Sequence, residues 1–170
     1  LATGAVAQEC GGSFGKWKQA MEAEAKAAGI VDRTPEKVVL PGLGALRGAK
    51  QEQKVLDRDR AQGVFTQTFI EFSNRMISNF RLKQGAANIK KYADAFARAE
   101  TEFGVQPAVI AAFWALETDF GTNNGDSPVI SSLATLAFDC RRPAEFRPHL
   151  LDALRLLDRG DLAASEMRGA

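Results

Sequence analysis

The chain has 170 residues, 22 Lys and Arg against 21 Asp and Glu, a formal net charge of +1, and 45% hydrophobic residues. That composition suits a single globular domain with a real core and does not suit a disordered chain. Balanced charge without a clustered basic excess gives no reason to expect a nucleic-acid partner, and no apolar run approaches the roughly 18 residues that cross a bilayer.

The first residues, LATGAVA, are small and apolar, and Ala5-Val6-Ala7 fits the pattern that precedes a signal-peptidase cut. Residues 1–12 therefore read as an export-signal remnant with an N-terminal arm, or simply as an unstructured start, and 13–170 as the domain. The two cysteines are Cys10 and Cys140. An even count in an exported chain favours one disulfide, the alternative being two unrelated thiols. Such a bridge would close a loop of roughly 130 residues, worth about 4 to 5 kcal/mol in the chain-entropy model.

From there the apolar spacing is helical nearly everywhere. Phe14, Trp17, Met21, Ala25 and Ala28 recur at three and four, with Ser13 placed to cap and Gly29 to terminate. Thr34-Pro35 has the form of an N-cap followed by proline at the first helical position. LPGLGALRG, residues 40–48, reads as a loop by its glycines and proline. Phe65, Phe69, Phe72, Met76 and Phe80 make an aromatic stripe, for most of them the core-facing side of a helix. Ile89, Tyr92, Phe96, Ala99 and Phe103 form another, opposite Lys91, Asp94, Arg98 and Glu102, and Gly104 ends it. Pro107 opens a helix that is apolar almost all round and so expected to be central. TNNGDSP (122–128) is a polar loop and VISSLATLAF (129–138) a further helix. Pro143 opens the last long helix, with Phe146, Leu150, Leu154 and Leu157 on one face and Asp152 and Arg159 on the other. Gly160-Asp161 breaks it, with room for a short helix beyond. No strand pattern or internal repeat stands out. The fold class is all-α and compact.

One segment carries chemistry. The apolar helix ends at Glu117 and Asp119, and Gly121 stops the run. Burial and the negative end of the helix dipole both discourage ionisation there, which is a recipe for a raised pKa. A carboxylic acid still protonated near neutral pH is what a general acid for a glycosidic oxygen requires. Glu117 is the better candidate because it can share the side of Phe113 and Trp114; Asp119 falls where the helix is ending and could order the following loop. The bland alternative is a solvated, acid-rich helix end. The only histidine, His149, sits in the leucine-rich helix and reads as structural. One histidine and two distant cysteines do not make a zinc site, and no phosphate-binding glycine motif occurs. The sequence gives no reason to expect a metal or a cofactor.

GVQPAVIAAFWALETDFG, followed by SLATLAFDCRRPAEFRPHLLDALRLL, resembles the membrane-bound lytic transglycosylase B-like family of murein-cleaving enzymes, and LDRDRAQGVFTQTFIEFSNRMI is similar to that family's N-terminal region. The resemblance implies a lysozyme-like fold and a periplasmic enzyme acting on peptidoglycan glycan strands. It would cleave the β-1,4 bond between N-acetylmuramic acid and N-acetylglucosamine to leave 1,6-anhydromuramoyl ends. By the same resemblance, Glu117 matches the sole catalytic acid, and Arg141 and Arg142 match an arginine pair lining the cleft. Phe72 takes the place of a cleft tyrosine and offers no hydroxyl, and Thr118 would steady Glu117 or simply cap the helix. The chain stops at MRGA, where the family's second signature begins. The domain is therefore expected to be truncated, with a missing C-terminal segment or a second chain completing the cleft. Two other readings stand beside the transglycosylase: a non-catalytic murein-binding or scaffold fragment, and a lysozyme-type hydrolase in which water attacks.

Overall fold

The computed structural model describes residues 10–31, 42–61 and 66–169. Within them the helical spacing resolves into nine helices and one pair of two-residue strands. The expected signal remnant Leu1–Ala7, the Thr34-Pro35 cap and Phe65 lie outside the described residues. The chain divides into two compact units. One joins the described residues up to Ala61 with Asp126–Gly169; the other runs from there to Gly125.

The first unit contains α1 (Phe14–Ala27), α2 (Gly42–Gly48), α3 (Gln53–Arg60), α8 (Val129–Phe138) and α9 (Pro143–Arg159), with β1 (Ser127–Pro128) paired antiparallel to β2 (Arg168–Gly169). The apolar face of α1 read from the sequence is the buried one, through Trp17, Met21 and Ala25. Likewise Leu150, Leu154 and Leu157 of α9 are buried. They meet α8, whose Ala134, Thr135 and Ala137 are fully enclosed. Thr135 is tolerated there because its hydroxyl donates to the Ser131 carbonyl (2.7 Å) and accepts from the Glu52 N–H (2.9 Å). The rings of Phe14, Trp17 and Phe138 pack together at the edge of this core. Cys10 and Cys140 form a disulfide with Cα atoms 5.1 Å apart, and the neighbouring Gly11 N–H bonds the Phe138 carbonyl (2.9 Å).

Three expectations change here. The stretch read as a loop at 40–48 contains helix α2, with Leu43, Ala45 and Leu46 buried. Its first glycine is not a breaker but a spacer. A Cβ on Gly42 would lie 2.6 Å from the Leu154 carbonyl oxygen, so only glycine lets α2 approach α9 this closely. His149 is on the exposed side of α9 and not in its packed face. After Gly160 (φ 77°) the chain makes turns and enters β2, with no short helix among the described residues. A two-residue strand is too short to leave an alternating pattern, and so it was invisible in the sequence.

The second unit contains α4 (Phe69–Met76), α5 (Asn79–Lys91), α6 (Ala93–Phe103) and α7 (Pro107–Thr118). The aromatic stripe expected on one core-facing helix is split between two. Ser78 caps α5 by accepting from the Arg81 N–H (3.2 Å), which separates Phe80 from the rest. Helix α4 has no buried residue, and Phe69, Ile70 and Phe80 are exposed. Periodicity placed Phe69 and Phe80 on one line but could not show that the described residues leave them uncovered. The second stripe is interrupted as well, because Tyr92 (φ −112°, ψ 34°) lies between α5 and α6. Phe96 alone of α6 is buried, and Gly104 (φ 68°) ends that helix as expected.

A capping box starts α4. The Thr68 hydroxyl accepts from the Glu71 N–H, and the Glu71 carboxylate accepts from the Thr68 N–H (2.9 Å). That backbone donor, and then the Thr68 hydroxyl, hold the Glu71 carboxyl below its ordinary value of 4.5. A depressed acid contributes stability above its unfolded pKa and loses it as the pH falls through the folded value. The box is therefore intact at neutral pH and lost on acidification below 4.5. The Thr68 amide proton shift, followed by NMR against pH, should have its midpoint below 4.5; a midpoint at or above that value would contradict the box. In the first unit, Leu154→Ala should cost about 2 to 5 kcal/mol and Gly42→Ala about 1 to 3 kcal/mol by overpacking. Both are measured as the shift in urea unfolding.

Candidate active site

Helix α7 starts with Pro107 at its first position and packs a stripe of small residues, Ala111 and Ala115, toward its own unit. Small side chains on that stripe, with Gly85 on α5, leave a pocket of about 320 Å³ between α5 and α7. Its lining includes Leu82, Ile89, Leu116 and Phe120, and Arg81 at the polar end.

The end of α7 is unusual. Asp119 (φ 47°), Phe120 (φ 62°) and Gly121 (φ 85°) are all left-handed, and only the last is glycine. Asp accepts this conformation readily; for a bulky residue such as Phe it is a true outlier costing about 1 to 2 kcal/mol. Three features hold it. Phe120 N–H bonds the Trp114 carbonyl (3.2 Å) and Asn123 N–H bonds the Thr118 carbonyl (2.8 Å). The Phe120 ring is buried, edge-on to Trp114 with centroids 5.4 Å apart. It lies over Gly85, where even a Cβ would come within 3.4 Å of the ring. Arg81 then closes the turn, its Nε donating to Asp119 Oδ1 (2.6 Å) and its Nη1 to the Met76 carbonyl (2.9 Å).

The two carboxylates at this helix end are thus in different situations. Asp119 is engaged by Arg81. Glu117 is exposed and has no hydrogen-bond or ion-pair partner among the described residues. This corrects the expectation that α7 is buried all round and Glu117 with it. The side of α7 that Glu117 shares with Phe113 is open: Phe113 is 65% and Leu116 47% exposed. An all-apolar composition told that this face is built for contact, not that the described residues supply the contact.

Thr118 donates from its hydroxyl to the Trp114 carbonyl (3.3 Å) and accepts from the Gly121 N–H (2.9 Å). It caps the helix and braces the turn, and its hydroxyl has no bond to Glu117. Phe72 is half-buried on α4, with the Arg75 guanidinium 5.8 Å from its ring centroid. Phe72, Glu117 and Thr118 thus belong to the second unit, while Arg141, Arg142, Cys10 and Cys140 belong to the first. Arg141 and Arg142 both pair with Asp59 at the end of α3, and Arg142 also bonds Glu145 (3.1 Å). Among the described residues no group of three or more His, Cys, Asp or Glu could hold a metal, and no helix is long and apolar enough to cross a membrane. Arg81, Phe120 and Gly85 were missed in the sequence. Arg81 lies 38 residues from its partner Asp119, and nothing local marks such a pair. The Asp-Phe-Gly sequence did carry a hint, since Asp and Gly are the residues that tolerate a left-handed turn.

A family model described as transglycosylase SLT domain matches residues 13–170. Over 93 residues, 55% of the chain, it is 28% identical to membrane-bound lytic murein transglycosylase B of Escherichia coli (strain K12). A crystal structure of SltB3 from Pseudomonas aeruginosa in complex with NAG-NAM-pentapeptide superposes with a TM-score of 0.82 and 31% identity over 94% of the chain. The Escherichia coli lytic transglycosylase Slt35 in complex with bulgecin A shares the fold at a TM-score of 0.76, 23% identity and 95% coverage. The chain spans 26% of the first of these relatives, 41% of the second and 51% of the third. The all-α, lysozyme-like architecture is thereby that of the lytic transglycosylases.

Arg81→Gln should loosen the turn by about 1 kcal/mol, a modest value because both partners are partly exposed. Hydrogen exchange should quicken at the Phe120 and Asn123 amides and stay unchanged in α9. Unchanged exchange at those two amides would show that the ion pair does not hold the turn.

Proposed function

The chain belongs to the transglycosylase SLT domain family, and on that premise we propose that it carries the catalytic acid of a peptidoglycan lytic transglycosylase. The substrate is the murein glycan strand, and the bond cleaved is the β-1,4 link from N-acetylmuramic acid to N-acetylglucosamine. The observation that supports this most is the unequal state of the two carboxylates: among the described residues Glu117 has no partner at the helix end, and Asp119 is committed to Arg81. One free acid suffices if the substrate brings its own nucleophile. Protonated Glu117 gives its proton to the leaving glycosidic oxygen. The C6 hydroxyl of the muramoyl residue then bonds to C1 and returns a proton to Glu117, which leaves a 1,6-anhydro end and consumes no water. Most glycosidases need a second carboxylate as nucleophile or water activator; Asp119, paired with Arg81 through Oδ1, is assigned no such role here.

Arg141 and Arg142 suit the lactyl and peptide carboxylates of the strand, since paired guanidinium groups bind carboxylates in a directed way. Phe72 offers a ring face to sugar, and Thr118 holds the backbone that presents Glu117. The open face of α7 at Val109, Phe113 and Leu116 is where we place the other wall of the cleft, from further chain or a second chain. We assign the protein to the periplasm. The Cys10–Cys140 disulfide supports an oxidising compartment, and the proposed substrate lies outside the cytoplasm. A second reading, a murein-binding part that turns nothing over without that wall, is favoured by the exposure of Glu117 itself.

Incubation of purified sacculi with the chain, read by mass spectrometry of released muropeptides, separates the two. The catalytic reading predicts anhydro ends that vanish in Glu117→Gln and persist, reduced, in Asp119→Asn. Equal loss in both variants would overturn the single-acid mechanism. Retention on sacculi with no product would leave only the binding reading.

A further inference from the structure

Resting on the reading that Arg141 and Arg142 receive carboxylates of the murein strand, we propose that Asp59 is a positioning residue for that subsite. It would hold the two guanidinium groups as one preorganised receptor. Two adjacent arginines repel each other and carry long, freely rotating side chains, so by themselves they make a poor directed site. In the structure each is tied to a different oxygen of one carboxylate, Oδ2 of Asp59 to Arg141 and Oδ1 to Arg142. Arg141 also donates to the Asp59 carbonyl (2.8 Å). The Asp59 side chain is 11% exposed and the arginines 37% and 34%. The acid is therefore the least exposed member of the cluster and forms its base, and the guanidinium groups form its wet surface.

The base is itself fixed. Helix α3 is anchored on α8 through the Glu52 N–H bond to Thr135, through buried Leu56, and through Arg60 bonding Asp139 (2.8 Å). On the other side, Arg142 bonds Glu145 and sits 5.0 Å from the Phe146 ring centroid. Arg141 follows directly on Cys140 of the disulfide, and its N–H bonds Asp139 Oδ2 (3.3 Å). Both arginines are thus constrained at backbone and side chain.

The charges add a further consequence. Arg60, Arg141 and Arg142 face Asp59, Asp139 and Glu145, so the cluster as a whole is neutral. It does not attract anions by net charge. A carboxylate would be held by directed hydrogen bonds from the terminal N–H groups that Asp59 and Glu145 leave available, which favours carboxylate shape over simple polyanions.

The test is co-sedimentation of the full chain with native sacculi and with sacculi whose carboxyl groups have been amidated. Wild type should prefer the native material. Asp59→Asn should lose about fivefold of that preference, the scale of one ordinary hydrogen bond, with binding to amidated sacculi unchanged. Asp59→Glu, which keeps the charge but displaces the carboxylate by a methylene, should fall between. Full preference in Asp59→Asn would overturn the proposal while leaving the arginine subsite standing. If circular dichroism shows that variant unfolded, undiminished preference in Asp59→Glu overturns it instead. A wild type that binds both preparations equally removes the subsite and this proposal together but leaves murein recognition. A wild type that binds neither removes the murein reading itself.

Discussion

The left-handed turn Asp119–Phe120–Gly121 is the constraint on which the candidate site depends. A helix that continued past Thr118 would carry Glu117 into its middle, with further side chains crowding it. A helix that frayed would leave the acid without a fixed direction. The chain avoids both by stopping α7 within one residue of the acid and locking the stop. The lock has a backbone-dihedral cost at Phe120. That cost is offset by burying a whole aromatic ring against Trp114 and over Gly85, since burial of such a side chain is worth roughly 1.5 to 3 kcal/mol. Arg81 adds a long-range tie from α5 through Asp119. Strain, ring and ion pair act on two consecutive residues, Asp119 and Phe120, and the acid left beside them without a partner among the described residues is Glu117.

A similar logic of one group committed and one left available recurs in the first unit. There a half-buried acid, Asp59, gathers two arginines, as Arg81 gathers Asp119 in the second. In each case the charged pair spends part of its hydrogen-bonding capacity internally and gains a fixed orientation. Partly exposed ion pairs of this kind contribute little to global stability. Their use is geometric, and geometry is what separates a carboxylate at a helix end from a general acid.

Much of the fold was legible because burial leaves a period in the sequence. The apolar faces of α1 and α9, the low-charge helix α8, the glycines ending α6 and α9, and the pairing of the two cysteines all followed from spacing or count. The errors have physical causes. Gly42 was read as a loop signal because glycine's conformational freedom is a local property; its actual use, close approach to Leu154, depends on a helix more than a hundred residues away. The aromatic stripe from Phe69 to Phe80 had the right period but straddled a cap at Ser78, and periodicity carries no information on what lies opposite. The end of α7 was placed correctly and the surroundings of Glu117 were not: the composition of α7 demands cover on all sides, and the described residues cover one stripe. Arg81 and Asp59 were illegible because an ion pair across tens of residues leaves no local trace.

In the proposed mechanism Glu117 needs no water and no second carboxylate. Digestion of sacculi by the chain in heavy-oxygen water tests it most directly, with the label read in the released muramoyl ends by mass spectrometry. Closure of the C6 hydroxyl on C1 yields anhydro ends without label. Labelled reducing ends would contradict it, for they would mean that water attacks and that the enzyme is a hydrolase.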